Sequence, residues 1–144
     1  MTRTDRTQRV DPSRADAYAE VGRRLMQAGR VIVEHGDARH ATALAILAVH
    51  AAIAFADAVA IHAGGRKATA ADHTATIRVL RAVFGSRLPA VIDTSLQRVL
   101  SEKDRFEYQG YLATMREAAS MLKRAGEIGE WVERVLTTER RSAP

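Results

Sequence analysis

The sequence of 144 residues contains no cysteine. It can therefore form no disulfide and offers no thiolate to a metal, and this absence fits a reducing compartment. Its five histidines show neither an HxH nor an HExxH spacing, so we expect no metal site. The sequence also lacks G-x-S-x-G, G-x-G-x-x-G and P-loop patterns, which argues against nucleophile-elbow hydrolases and phosphate-loop enzymes. No cofactor is expected.

Long apolar runs are also scarce. The N-terminal residues MTRTDRTQRVD have no apolar core and do not resemble a signal peptide. The one long apolar stretch, residues 38–65, is rich in alanine and contains His50, Asp57 and His62, which argues against a membrane span. We therefore expect a cytoplasmic protein that makes no contact with a membrane.

No strand-like alternation is present, whereas apolar residues recur every three or four positions in several segments. This pattern predicts an all-α fold, an up-and-down antiparallel bundle of four to five helices joined by short loops. A chain of this length suits one domain, which we place at residues 11–137. Residues 1–10 are polar and rich in Thr and Arg, which predicts a disordered basic tail. Residues 138–144 are predicted to form a short polar tail.

Capping and stop signals predict the ends of the first and last helices. Gly36 follows the first helix, and Thr114 with Glu117 forms a capping box before the last one. Gly126 and Gly129 lie on the apolar seam of the last helix, where each glycine costs about 1 kcal/mol against alanine. Another helix is therefore expected to approach closely there. The buried stripe of the first helix is predicted to be Ala17, Val21, Leu25, Ala28 and Ile32.

Residues 38–65 are predicted to form a central helix that is apolar nearly all round except for His50 and Asp57. Their spacing of seven puts these two residues on nearly the same side of the helix, about 10 Å apart along its axis. A buried aspartate is rare without a partner, because an unpaired carboxylate away from water is unfavourable. The pair either orients a catalytic group or forms a structural polar network that fixes the helix packing.

The formal net charge is +5 and the isoelectric point is about 10.2. This balance permits non-specific attraction to the phosphates of RNA or DNA, although the charges are spread along the chain and form no compact stripe. A more local feature lies between residues 101 and 113, where Lys103, Arg105, Tyr108 and Tyr111 combine positive charge with rings. Such a cluster suits binding of single-stranded RNA or a nucleotide base. The alternative is that the aromatic residues cap the core.

Two stretches carry a family resemblance. The first is ADAYAEVGRRLMQAGRVIVEHGD, followed by AILAVHAAIAFADAVAIHAGGRK and a helix that opens with ADH. The second is KDRFEYQGYLATMREAASMLKRAGEIGEWVERVL, in which a Lys/Arg and Tyr segment precedes a long helix. Together they resemble the HEPN domain superfamily of prokaryotes, over residues 15–136.

The HEPN resemblance implies a helical bundle that is usually a homodimer. Members include metal-independent endoribonucleases, often toxins or defence proteins, and non-catalytic relatives that bind nucleotides or partner nucleotidyltransferases. The catalytic members share an arginine followed, after four to six residues, by a histidine. Arg66 and His73 have this spacing, with KATAAD between them. They lie between the second and third helices, whereas the family motif usually lies later, near residues 105–111, where this chain has no histidine.

Three functional hypotheses remain open. The first is a HEPN-like domain that binds RNA or a nucleotide, within a toxin-antitoxin or defence system and with a nucleotidyltransferase-type partner. The second is an active endoribonuclease in which Arg66 holds the phosphate and His73, with Asp57, moves a proton; otherwise His73 is a buried residue bonded to Asp57. The third is a non-catalytic protein-interaction bundle. We expect His50, Asp57 and His73 to meet in one pocket at the junction of the second and third helices.

Overall fold

The computed structural model describes residues 7–69, 73–107 and 109–142, without the side chains of residue 73 and residues 139–142. Within these ranges the protein is an all-α bundle with one small sheet, as the sequence predicted. Its five longer helices are α1 (Ala15–His35), α2 (Ala41–Gly64), α3 (His73–Phe84), α4 (Ala90–Ser101) and α6 (Met115–Ser142). The segment before α6 contains the short helix α5 (Lys103–Glu107).

Helix α2 forms the centre of the bundle. Fifteen of its 24 residues are buried, and it packs mainly against α1 and α6. Residues Ala38–Gly64 are long and apolar enough to cross a membrane, but 78% of their most apolar window is buried inside the protein. Burial among neighbouring helices is the arrangement of a core helix.

Phe55 of α2 explains why glycines lie on the neighbouring helices. Its ring occupies the space that a Cβ would need at Gly22 of α1 and at Gly129 of α6, where the closest approaches would be 2.8 Å and 2.7 Å. A Cβ at Gly126 would meet only the Met26 methyl group, at 3.3 Å. The close helix approach predicted from Gly126 and Gly129 is confirmed, and it is tightest at Gly129.

The buried stripe predicted for α1 is correct only in part, because Leu25 and Ile32 are partly buried against the core and the other three residues are exposed. Val21 is 52% exposed, and Ala17 and Ala28 also face solvent. Small residues let the backbone of α1 approach the alanine-rich α2 closely. The buried face of α1 is therefore the one that carries small residues, and not the one with the most hydrophobic side chains. The residues of α1 that are buried are Ala15, Ala19, Gly22, Met26 and Gly29.

A two-stranded sheet corrects part of the prediction of a disordered tail over residues 1–10, namely for residues 7–9. Strand β1 (Thr7–Arg9) pairs in antiparallel fashion with strand β2 (Arg66–Ala68), which follows α2. The amide of Val10 also donates a hydrogen bond to the carbonyl of Gly65, at 2.9 Å. A polar strand of three residues that is held by main-chain hydrogen bonds shows no alternation of apolar and polar residues. The sequence therefore does not reveal this strand. Residues 1–6 lie outside the described part of the chain.

The helix ends follow local backbone chemistry. The predicted capping box at the start of α6 is confirmed, because the Thr114 hydroxyl accepts from the Glu117 amide and the Glu117 carboxylate accepts from the Thr114 amide, both at 3.1 Å. Gly65 ends α2 with a φ of 63°, a left-handed conformation that suits glycine. At the other end of the chain α6 continues to Ser142, so the predicted polar tail at residues 138–144 is helical over most of its length.

Candidate functional site

Among the described residues Asp57 is the one charged residue that is buried, and it is paired with a lysine. Its side chain is 11% exposed, and Oδ2 lies 3.7 Å from Nζ of Lys67 in strand β2. The Lys67 ammonium also lies 5.7 Å from the centre of the Tyr18 ring of α1, a cation–π distance. Helix α2, strand β2 and helix α1 therefore meet at this ammonium group.

Burial dominates the titration of Asp57. It raises the pKa of the carboxyl from its ordinary value of 3.8 to about 6, because a charge is unfavourable away from water. The Lys67 charge acts in the opposite direction and holds the pKa of Asp57 below the value that burial alone would produce. At neutral pH the carboxylate is ionised and can pair with Lys67, but a modest fall in pH neutralises it.

Arg66 stands beside a second arginine. In the register of the sheet Arg66 is directly opposite Arg9, and residues that face each other in an antiparallel pair project from the same side. Like charges placed in this way repel each other. Among the described residues no carboxylate forms an ion pair with either arginine.

The two arginines line a cavity of about 730 Å³. Its walls come from β1, the end of α2, the start of β2 and Val83 of α3, and they include the hydroxyl-bearing residue Thr7. Asp11 also lines it, but its carboxylate accepts a hydrogen bond from the Ser13 amide at 2.9 Å. The volume lies within the range of small-molecule sites, so the cavity is large enough for a ligand the size of a nucleotide.

His50 has a partner other than Asp57. Its side chain is 50% exposed, and Nε2 lies 3.2 Å from a carboxylate oxygen of Glu107 in α5. The structure therefore does not bring His50 and Asp57 into one network, although they lie on the same side of α2 as predicted. The expected meeting of all three residues is therefore wrong for His50, which α5 holds instead. The side chain of His73 lies outside the described residues, so its approach to Asp57 stays a prediction.

The aromatic and basic cluster before α6 is largely engaged with itself. The Arg105 guanidinium lies 3.7 Å from the centre of the Tyr111 ring and 3.1 Å from the Glu102 carboxylate. The Tyr111 hydroxyl donates to Glu117 at 3.0 Å, which raises the pKa of Tyr111 because the bond favours the neutral phenol. One face of the Tyr111 ring is thus covered, as in the alternative in which the aromatic residues cap the core.

The other predicted binding residues give less information. Lys103 is half-buried at the start of α5, and Tyr108 lies outside the described residues. Within the described ranges no group of three or more His, Asp or Glu side chains could hold a metal ion.

Sequence reasoning missed Arg9 and Lys67. Arg9 lies in the segment predicted to be a disordered tail, and its position opposite Arg66 depends on main-chain pairing that composition does not encode. Lys67 could have been found, because a buried aspartate calls for a nearby cation and Lys67 follows Arg66 directly after the central helix. Comparisons of the chain with protein-family models, with curated proteins and with solved structures found no match.

Proposed function

We propose that this protein binds RNA or a nucleotide, and that Arg9 and Arg66 hold a phosphate in the cavity beside the sheet. The observation that carries the proposal is the opposition of these two arginines without a carboxylate partner among the described residues. An anion between the two side chains would convert their repulsion into two charge-assisted hydrogen bonds. Guanidinium groups suit this role because their planar donors match phosphate oxygens.

The surroundings support a small phosphate-bearing ligand or a short stretch of backbone. Thr7 can contribute a hydroxyl donor to a phosphate oxygen, a common contact in nucleic-acid complexes. The net charge of +5 adds a long-range attraction to polyanions. Membership of the HEPN superfamily is part of the proposal and rests on the resemblance along the chain.

The test is binding of a labelled single-stranded RNA, measured by fluorescence anisotropy in EDTA at several salt concentrations. The double variant Arg9→Gln/Arg66→Gln is compared with Arg24→Gln/Arg39→Gln, which removes the same charge from exposed arginines elsewhere. Arg24 is 79% and Arg39 is 87% exposed in the side chain. We expect the first variant to lose about tenfold in affinity and roughly one unit of salt slope, and the second to lose much less.

Equal losses in the two double variants would contradict the site, and no binding by the wild type would contradict the function. The same samples separate binding from cleavage, because intact RNA after incubation indicates a binding module. Cleavage that disappears in His73→Ala would favour the endoribonuclease, in which Arg66 keeps its phosphate contact.

A further inference from the structure

The sheet that carries Arg9 and Arg66 has little stability of its own. Each strand has three residues, and a two-stranded ribbon in water is marginally stable at best. Its position therefore depends on anchors to the helices. One is the hydrogen bond from the Val10 amide to Gly65, and another is the buried methyl group of Ala68.

Lys67 is the polar anchor of the sheet. Successive residues of a strand project to opposite sides, so Lys67 points away from the side on which Arg66 faces Arg9. Lys67 does not line the cavity beside the two arginines. Its ammonium instead contacts Asp57 of α2 at 3.7 Å and lies over the Tyr18 ring of α1, which ties the middle of β2 to two helices.

We infer that Lys67, held by the Asp57 carboxylate, is the positioning residue of the phosphate site. The ion pair fixes β2 against the bundle, and β2 in turn holds Arg66 opposite Arg9 at the cavity. The effect of this ion pair on phosphate binding rests on the proposed function, but the anchoring of the strand can be measured without any ligand.

The arrangement makes phosphate binding depend on the ionisation of Asp57. Among the described residues Lys67 is the one charged group that lowers the pKa of Asp57, and Tyr18 packs over that ammonium. The side chain of His73, on α3, lies outside the description. When Asp57 takes up a proton below about pH 6, Lys67 loses its counter-charge and β2 loses its polar anchor. Phosphate affinity then falls, although general acidification makes the protein more cationic.

The experiment compares RNA affinity at about pH 7.5 and about pH 5 in wild type and Asp57→Asn. The probe is a single-stranded RNA with a 5′-hydroxyl end, because its phosphodiesters keep their charge over this range. We expect Asp57→Asn to bind roughly fivefold more weakly than wild type at the higher pH and equally at the lower pH, since proton and RNA binding are coupled. His35→Gln, which replaces an imidazole that is 76% exposed and lies away from the sheet, should show no such convergence. A ratio that is the same at both pH values overturns the inference.

A second measurement needs no RNA. Hydrogen exchange of the Val10 amide reports opening of the sheet, because this amide bonds to Gly65 across the ribbon. At neutral pH we expect it to exchange about five times faster in Asp57→Asn than in wild type, as expected for local opening. Lys67→Met, which keeps the apolar stem, should behave in the same way and serves if Asp57→Asn fails to fold. Unchanged exchange in a folded variant overturns the inference even if RNA binds. Faster exchange with no RNA binding by the wild type would contradict the proposed function alone.

Discussion

The Lys67 ammonium lies 3.7 Å from the Asp57 carboxylate in a region where both side chains are largely buried. The pair joins strand β2 to the central helix, yet the ionised carboxylate is itself unfavourable there, as the rise of its pKa to about 6 indicates. Ionised Asp57 therefore lowers the free energy of unfolding of the whole protein, although it holds strand β2 in place. Opposite effects of one substitution on stability and on binding are expected where a buried charge serves function.

The pH dependence of unfolding should reveal this conflict. Between an unfolded pKa near 3.8 and a folded value of about 6, the folded protein holds a proton that the unfolded chain has released. Stability contributed by this group therefore falls as the pH rises through that window, and by full ionisation about 3 kcal/mol is lost. Asp57→Asn, which cannot ionise, should be more stable than wild type at neutral pH by up to about 3 kcal/mol.

Urea unfolding of both proteins at about pH 7.5 and about pH 4.5 measures this difference. Other carboxylates titrate equally in the two chains and cancel, so the gap should shrink to about 1 kcal/mol at the lower pH, where folded Asp57 is protonated and the unfolded chain is still largely ionised. A gap of constant size would show that Asp57 does not titrate as its burial requires.

Two glycines of α6 should respond in opposite directions to the same substitution. Gly129→Ala places a Cβ 2.7 Å from the Phe55 ring, and we expect a loss of about 1–3 kcal/mol from overpacking. In Gly126→Ala the new methyl meets only the flexible end of Met26 at 3.3 Å, so the better helix propensity of alanine should add up to about 1 kcal/mol. Thermal unfolding distinguishes the two variants, and Phe55→Leu should partly rescue Gly129→Ala. Equal effects at both positions would show that the Phe55 ring does not fill the space beside Gly129.

The Tyr111 phenol should titrate above its ordinary range. Its hydroxyl donates to the Glu117 carboxylate, and that bond raises the pKa of Tyr111 while the nearby Arg105 charge acts against it. Glu117→Gln removes the charge but keeps a residue that can complete the capping box. We expect the pKa of Tyr111 to fall in this variant, as followed by the NMR signal of the phenol ring carbon. A pKa that does not move would place the hydroxyl elsewhere.

The fold was predictable where local chemistry decides it. The capping box of Thr114 and Glu117 and the close approach at Gly129 follow from residue types and spacing alone. The buried face of α1 was not predictable in this way. There the partner helix selects small residues such as Ala19 and Gly22, whereas hydrophobic periodicity selects larger ones such as Val21.

The candidate site was predictable only in part. Asp57 stood out because a carboxylate in an apolar helix needs an explanation, and Arg66 because its spacing from His73 resembles a family motif. Arg9 could not be predicted as a site residue, because it reaches the site only through the pairing of β1 with β2. In that pairing Arg9 lies opposite Arg66, which is 57 positions later in the sequence. The separate partners of His50 and Asp57 likewise depend on how α5 and β2 pack against α2.

The most direct test of the phosphate site is an NMR titration of arginine side chains with single-stranded RNA. Each Nε–H signal reports on one guanidinium, so the residues that contact phosphate can be identified individually. We expect the Arg9 and Arg66 signals to shift together and to saturate at the same RNA concentration, while the Arg39 signal stays in place. Shifts at other arginines with none at Arg9 and Arg66 would contradict the central claim that these two side chains form the phosphate site.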